Sequence, residues 1–422
     1  MKEKSRSKYI LVGSLIGFLS GVALGVLSWN SSFITLVHLI PYAEVFAKVW
    51  IVILVILAVP LVVTNLFVSF ITIIHEKLAV KLVMNGLFVH IGLVIACTLL
   101  SVAFSYGFTQ YLNVDLSISN PLVQETSEKT GLRNIHVLLT NVQSSVARFI
   151  VPAILGTILL SIAFFWFPNF LKKKLITHAQ HLNVRVFELL RIIFYALPVS
   201  VACLTFVVSS RSGTMILGVA GLYVLGVCGV LSVAILFLYA VAFFFGYTSL
   251  TSFLRALLPA QMVAISTCSS LASLPGLLIS TKKLGIPAAV AGFAVPVFVS
   301  FFRINLMVAN PFSFFLLSEL YNISVTLPDF FIFLGLMLVT SFASPGLPQM
   351  GNVYSLPVFL AAGIPLEGIL LLKAVDSIPD IFKTLLNVTE IGLVMSIVMR
   401  GYRNMMPEVY SGFKVQDKPH IK

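Results

Sequence analysis

Four polar residues near the end of an otherwise apolar stretch have the types and spacing to bind a charged small molecule. They are Asp376, Asp380, Lys383 and Asn387, at steps of four, three and four residues. On an α-helix, this spacing places all four along one face over about three turns. Two carboxylates, an ammonium and an amide on one face can recognise a solute that carries amino and carboxyl groups.

The same residues also fit a purely structural explanation, in which Asp380 and Lys383 form a buried ion pair that only holds helices together. An isolated charge at membrane depth costs about 3 kcal/mol, so ionisable side chains there usually face a partner, a cavity or a permeant solute. Pro379 favours the functional interpretation. It has no amide proton for the carbonyl of Val375 and therefore leaves an acceptor free beside the stripe.

The composition of the whole chain places this stretch in a membrane. Of 422 residues, 59% are hydrophobic and only 10% are charged, and the mean hydropathy is +1.05, which indicates a polytopic membrane protein. The formal net charge of +12 could indicate a nucleic-acid partner. The basic residues cluster at the ends of apolar stretches, however, so we interpret them as topology signals and contacts to anionic membrane lipid, with no nucleic acid bound.

No residue pattern indicates catalysis. The four cysteines lie in apolar or small-residue stretches without the spacing of disulfides or metal ligands, and the seven histidines are scattered. The sequence also has no Gly-x-Ser-x-Gly nucleophile motif. We therefore predict that the chain is not an enzyme and has no cofactor other than Na⁺ or H⁺ as a coupling ion.

Apolar stretches and basic clusters predict a multi-pass protein of the inner cell membrane with both termini in the cytoplasm. The basic clusters at residues 2–8, 172–174 and 400–403 mark the cytoplasmic side. Six spans are predicted before residue 250, at about 10–29, 45–74, 82–112, 147–170, 186–209 and 214–247, with an external loop at 113–145.

Two later apolar stretches are interrupted in a way that a plain spanning helix would not be. Residues 250–283 contain a serine-rich segment that ends in Pro275, and residues 330–360 are broken by a Ser/Pro/Gly segment at 341–351. We predict two re-entrant hairpins whose hydroxyls and freed backbone groups line a cavity. A Ser-rich helix packed closely on a neighbour is the alternative for the first.

The span between these hairpins, at about 286–320, and the last span, at about 366–400, complete the predicted total of eight. The first of them carries Arg303, Asn305 and Asn310 with Pro311 and is expected to unwind near its middle. Two interrupted segments, each followed by a span with polar residues, indicate a secondary transporter built from inverted repeats.

Three motifs in the second half of the chain resemble those of a known family. They are a serine run with Ser269 and Ser270, a tip with Gly346 and Pro348, and the segment AVDSIPDIFKTLLNVT at 374–389. That segment is similar to the pattern Gly-Ile-Asp-x-x-x-Asp-x-x-Arg-Thr-x-x-Asn-Val-Thr. Over residues 250–400 the chain resembles the glutamate transporter homologues of the dicarboxylate/amino acid:cation symporter family.

The resemblance implies an all-α fold of eight transmembrane helices plus two re-entrant helical hairpins, assembled as a homotrimer. Residues 1–250 would form the scaffold, the trimer contacts and part of the transport domain. Residues 251–400 would form the transport core, and residues 401–422 a basic cytoplasmic tail. The transport domain of this family moves an amino acid or dicarboxylate, with sodium ions or protons, in an elevator-type alternating-access mechanism.

The resemblance also implies roles for individual residues. Asp380 would bind the substrate amino group, Asn387 its main-chain carboxylate, and Lys383, in the place of an arginine, a side-chain carboxylate. The full set of implied substrate-binding residues is Ser269, Ser270, Arg303, Gly346, Pro348, Asp376, Asp380, Lys383, Thr384 and Asn387. A lysine is a point charge without the bidentate fork of arginine. Lys383 could therefore also neutralise Asp380, which would leave a neutral substrate.

Several sodium ligands of that family are missing here. The family's Asn-Met-Asp-Gly motif falls on residues 302–305, which read Phe302, Arg303, Ile304 and Asn305. A further sodium carboxylate falls on Ile391. A sodium position built mostly from carbonyls could remain at Ser300, Ser341, Phe342 and Ser344.

Arg303 offers a replacement for the lost ion. A guanidinium is cationic at any working pH and donates five hydrogen bonds, so Arg303 could neutralise Asp376 or Asp380 without sodium. A purely structural pair is the alternative. Because a buried, unpaired carboxyl group favours its protonated form, Asp376 or Glu390 could then carry protons.

Together, these features predict a secondary transporter for a small-molecule substrate, an acidic amino acid or a C4-dicarboxylate, coupled to protons or sodium. The alternatives are a neutral amino acid exchanger and a non-transporting or channel-like membrane protein that retains the fold.

Overall fold

The computed structural model describes residues 2–28, 34–74, 77–110, 169–344, 346 and 350–405, with short pieces between 152 and 163. In these ranges, every regular element is a helix. The predicted external loop, most of the fourth span, Pro348 and most of the C-terminal tail lie outside the described residues.

The helices with described bounds follow one another along the chain. They are α1 (Lys2–Leu27), α2 (Ile34–Ile74), α3 (Lys77–Gln110), α4 (Asn169–Ile193), α5 (Leu197–Ser212), α6 (Met215–Phe245), α7 (Leu250–Thr267), α8 (Leu274–Lys283), α9 (Ala288–Phe301), α10 (Ile304–Leu320), α11 (Leu327–Ala343), α12 (Met350–Ala361), α13 (Leu366–Ala374) and α14 (Ser377–Met405).

Several helical segments are long and apolar enough to cross a membrane. In the described residues they are Thr35–Leu54, Leu82–Phe108, Met215–Phe245, Val290–Leu320 and Ser377–Gly401, and shorter apolar helices lie at Val12–Leu27, Leu197–Arg211 and Leu327–Ala343. A span of this kind needs about 20 apolar residues. The prediction of an all-α polytopic membrane protein is confirmed at this level.

The helices pack as two groups. In the first, α1 lies along α5, and α2 packs against α4 and α5. In the second, α3 and α6 pack against α10 and α14, and α14 also packs against α7. The hairpin helices α11 and α12 contact α2 and so join the groups. The polar stripe lies inside the second group.

Close approach of α1 to α5 depends on glycines at steps of four residues, Gly13, Gly17, Gly21 and Gly25. A Cβ atom on Gly21 would lie 2.0 Å from Oγ1 of Thr205 and 2.3 Å from the carbonyl oxygen of Ala202. Small residues at this spacing allow the backbones of membrane helices to approach closely. The glycines therefore fix how α1 is seated on α5.

We expect Gly21→Ala to lower stability, because overpacking typically costs about 1–3 kcal/mol. The matched control is Gly218→Ala on α6, where an added Cβ meets nothing within 4 Å. Both changes gain the same helix propensity, so the difference between them reports the clash. Thermal unfolding in detergent would measure it, and equal midpoints for the two variants would contradict this account of the packing.

Both interrupted stretches form helix pairs. In the first, α7 packs against α8, and they are joined by residues 268–273, where Cys268 takes a left-handed conformation with φ of 50°. The second consists of α11 and α12, also packed together. Gly276 on α8 lies against the backbone of Ala260 on α7, so the first stretch folds back on itself. The alternative of one continuous Ser-rich helix is therefore wrong.

Three predicted spans are broken. The span at 286–320 unwinds between Phe301 and Ile304, as predicted. The fifth span, predicted at 186–209, is instead split by a 3₁₀ turn at Phe194–Ala196, because Pro198 cannot donate a hydrogen bond to the carbonyl of Phe194. The last span breaks between Ala374 and Ser377, next to the carbonyl of Val375 that Pro379 cannot bond.

Candidate functional site

The buried carboxylate of Asp376 is held by two side-chain donors. Lys383 Nζ lies 2.6 Å from each of its oxygens, and the hydroxyl of Tyr223 on α6 donates to Oδ1 at 2.5 Å. Lys383 is also buried. The ion pair is thus formed with Asp376, and not with Asp380 as the purely structural alternative had it. Helical side chains tilt toward the N-terminus, so the long lysine side chain reaches back two turns, past Asp380, to the residue in the helix break.

The rest of the stripe lies on α14. The hydroxyl of Thr384 donates to the backbone carbonyl of Asp380 at 2.8 Å, and the Asp380 side chain is half-buried. Oδ1 of Asn387 accepts from the backbone N–H of Asn305 at 3.1 Å. This bond satisfies one of the amides that the first turn of α10 leaves free. The stripe therefore connects the last helix to the break in the preceding span.

The tips of the two hairpins meet at Gly346. The hydroxyl of Ser269 and the backbone N–H of Leu271 both donate to the Gly346 carbonyl, at 2.7 Å and 3.1 Å. Ser270 is buried beside them. Cys268, at the same tip, lies within electrostatic range of Asp380 and Asp376. The structure thus brings the predicted serine run close to the polar stripe, with Ser269 fastening one tip to the other.

Gly346→Ala should prevent the tips from closing. A Cβ atom on Gly346 would lie 2.4 Å from Nη2 of Arg303 and 2.9 Å from the backbone nitrogen of Leu271. A cost of about 1–3 kcal/mol for closing the tips corresponds to an affinity loss of about 5-fold to 150-fold. The control is Gly335→Ala on α11, which has open space around its Cβ. Substrate titration of both variants would test this, and equal affinities would contradict the role of the tip contact.

The guanidinium of Arg303 is buried and bonded to three backbone carbonyls. Nε donates to Ser344 at 3.1 Å, Nη1 to Phe302 at 3.2 Å and Nη2 to Val299 at 2.5 Å. The prediction that Arg303 neutralises Asp376 or Asp380 is therefore not supported by these contacts. The break after α9 leaves C-terminal carbonyls without helical partners, and these attract the cation.

One of the residues implied for sodium, Ser344, lies beside a fixed cation in this structure. The Ser344 carbonyl already accepts from Arg303, so a sodium ion there would face a like charge. Ser300 is exposed, and its hydroxyl bonds the Pro296 carbonyl of its own helix. The Ser341 hydroxyl likewise bonds within α11, to the Leu338 carbonyl at 2.6 Å. Phe342 lies half-buried on the same helix.

A second buried contact between titratable side chains joins α3 to α14. Nδ1 of His90 and Oε1 of Glu390 are in hydrogen-bond contact, and both side chains are fully buried. The His90 ring stacks on Phe302, with centroids 4.1 Å apart and planes at 3°. The prediction singled out Glu390 but missed His90. An ionisable residue within the apolar stretch Leu82–Phe108 was the available signal.

Lys373 on α13 is a further cation that the sequence reasoning missed. Its Nζ lies 3.5 Å from Oδ1 of Asn310 and 5.7 Å from the ring centroid of Phe359. Asp376 and Asp380 are within electrostatic range of it. The helix break therefore gathers two carboxylates and two ammonium groups.

Together, the apolar helices, the two joined hairpins and the charged stripe between them define a polytopic membrane protein with charged side chains buried among its helices. A family model described as the sodium:dicarboxylate symporter family matches residues 8–400, and the chain belongs to that family. The resemblance predicted from the motifs is confirmed. The family is one of transporters rather than enzymes.

Individual relatives are more distant. The chain is 24% identical over 297 residues to the proton/glutamate-aspartate symporter of Escherichia coli strain K12. This match covers 69% of the chain and 68% of the relative. It is 22% identical over 298 residues to a proton/sodium-glutamate symport protein of Bacillus subtilis strain 168, covering 70% and 67%. A shorter match, 33% identical over 132 residues and covering 30% and 28%, is to C4-dicarboxylate transport protein 2 of Ralstonia nicotianae.

Proposed function

We propose that this chain is a proton-coupled secondary transporter for an acidic amino acid or a C4-dicarboxylate. The observation that carries the proposal is the charged stripe formed by Asp376 in the helix break and by Asp380 and Lys383 on α14, near Cys268 at the tip of the first hairpin. Relatives named as proton/glutamate-aspartate symporters and as a C4-dicarboxylate transport protein support the same substrate class.

In this proposal, several residues of the stripe bind different groups of the substrate. Asp380 accepts hydrogen bonds from the substrate ammonium. Lys383 gives two donors to Asp376, and its ammonium has a third for a side-chain carboxylate. Asn387, whose Oδ1 is bonded to Asn305, offers its amide N–H groups to the main-chain carboxylate. A substrate with both charges would then satisfy groups that are costly to bury unpaired.

The two groups of packed helices suggest which part of the protein moves during transport and which part stays fixed. In the proposed elevator-type mechanism, α3, α6 and α7–α14 form the transport domain, and α1, α2, α4 and α5 form the scaffold of a homotrimer. Eight spans, two re-entrant hairpins and two cytoplasmic termini complete the arrangement, supported by the basic clusters at 2–8, 172–174 and 400–403. Cysteine labelling that placed the C-terminal tail outside the cell would contradict this orientation.

Uptake into proteoliposomes tests the proposed substrate class. Radiolabelled aspartate, glutamate, succinate, serine and alanine would be offered to vesicles with the purified protein and to protein-free vesicles. We expect saturable uptake of the acidic substrates and none of serine or alanine. Saturable uptake of the neutral amino acids alone would favour a neutral exchanger, and no protein-dependent uptake of any substrate would favour a non-transporting protein.

A further inference from the structure

The buried contact between His90 and Glu390 has no part in substrate binding as proposed above. A purely structural contact would be expected to satisfy all the polar atoms of both side chains, and this one does not. One nitrogen and one oxygen face each other, while Nε2 of His90 and Oε2 of Glu390 have no hydrogen-bond partner in the described part of the chain. Buried polar atoms normally have partners, because leaving one unsatisfied is costly. The pair therefore retains two buried positions that can accept a proton.

The groups that face the pair are few in the described helices. The titratable groups near Glu390, besides His90, are Arg303, from the break between α9 and α10, and the neutral thiol of Cys97 on α3. From α7, the uncharged Gln261 donates to Thr389, next to Glu390, at 2.9 Å. Because Arg303 is fixed by three carbonyls, it gives the pair a steady positive neighbour while the pair itself remains free to change its charge.

The charge balance of the core gives a reason for a proton to bind. Around the two helix breaks, the buried and half-buried charged side chains of the described residues are balanced. They are Asp376, Asp380 and Glu390 against Arg303, Lys373 and Lys383. An acidic amino acid adds one net negative charge to this core. An uncompensated charge is costly to bury, and one proton at the pair would remove the excess.

We infer that the His90–Glu390 pair is the binding site of the proton that travels with the substrate, an inference that rests on the proposed transport function. One proton lies between Nδ1 and Oε1 throughout. A second, taken from the external side, binds at Nε2 or Oε2, and the pair passes from one negative charge to neutral. Both residues lie in the helix group that contains the substrate stripe. The proton therefore crosses with the substrate and leaves to the cytoplasm when the negative charge of the substrate has gone.

Glu390→Gln, which holds this position uncharged, tests the inference. Reconstituted wild-type and variant proteins would be compared for aspartate accumulation driven by an inward proton gradient, for aspartate-dependent proton influx measured with an internal pH dye, and for exchange of internal against external aspartate. We expect Glu390→Gln to lose accumulation and proton influx. It should still exchange aspartate, because exchange needs no net movement of protons.

Two control variants show whether removing a glutamate or a histidine elsewhere in the protein affects accumulation. Glu319→Gln on α10 and His38→Gln on α2 alter exposed residues and should accumulate aspartate as the wild type does. Gradient-driven accumulation in Glu390→Gln equal to wild type would overturn the inference. Loss of exchange as well as accumulation would also overturn it, because the pair would then be a structural joint. Saturable aspartate uptake by the wild type without proton influx refutes the proton site alone, whereas no uptake at all refutes the proposed function.

Discussion

Replacing Lys383 with methionine should destabilise the protein by about 3–5 kcal/mol and abolish transport of acidic substrates. Lys383 donates to both oxygens of the buried Asp376, and without it only the Tyr223 hydroxyl of the donors described above remains. A buried charge left without its partner carries a penalty of this size. Thermal unfolding in detergent would measure the loss, with the exposed Lys282→Met as the control.

A double variant separates the structural role of Lys383 from its role in binding. Lys383→Met combined with Asp376→Asn removes both members of the ion pair, so neither leaves the other unpaired, and most of the lost stability should return. Transport of aspartate should stay absent, because the proposed carboxylate receptor is still missing. If the double variant also regained transport, Lys383 would only stabilise the helix break through its pair with Asp376, and its assignment to the substrate would be wrong.

Asp380→Asn should weaken aspartate binding about 100-fold while leaving succinate binding nearly unchanged. The amide keeps the volume of the side chain but removes the counter-charge to an ammonium, a loss of about 2–3 kcal/mol. Succinate has no amino group, so it serves as the matched control within the same variant. Equal losses for the two ligands would mean that Asp380 supports the site as a whole rather than recognising the amino group.

Much of the architecture was predictable from local chemistry. Proline, glycine and serine interrupt otherwise apolar stretches at Pro275 and Gly346, and the chain forms hairpin tips there. The charged Arg303 inside an apolar span marked the break between α9 and α10. The glycines at steps of four in α1 could have predicted its close packing on α5, because small residues at that spacing are typical of membrane helix contacts.

Pairings between distant residues could not be predicted in the same way. His90 and Glu390 are 300 positions apart, and the sequence around one of them does not indicate that the other is its partner. The purely structural alternative paired Lys383 with its neighbour Asp380, but the helix break places Asp376 within its reach instead. Side-chain partners depend on how breaks and tips bring separate helices together, which the spacing of residues along one helix does not determine.

The central claim is that the transported acid moves with protons and without sodium. Its most direct test is aspartate accumulation in proteoliposomes at fixed external pH, with an inward proton gradient and with all sodium replaced by choline. We predict that accumulation persists in choline and disappears when the proton gradient is collapsed by a protonophore. Accumulation that is lost in choline, and that returns with a sodium gradient alone, would contradict the proton coupling and would show that a sodium site is present.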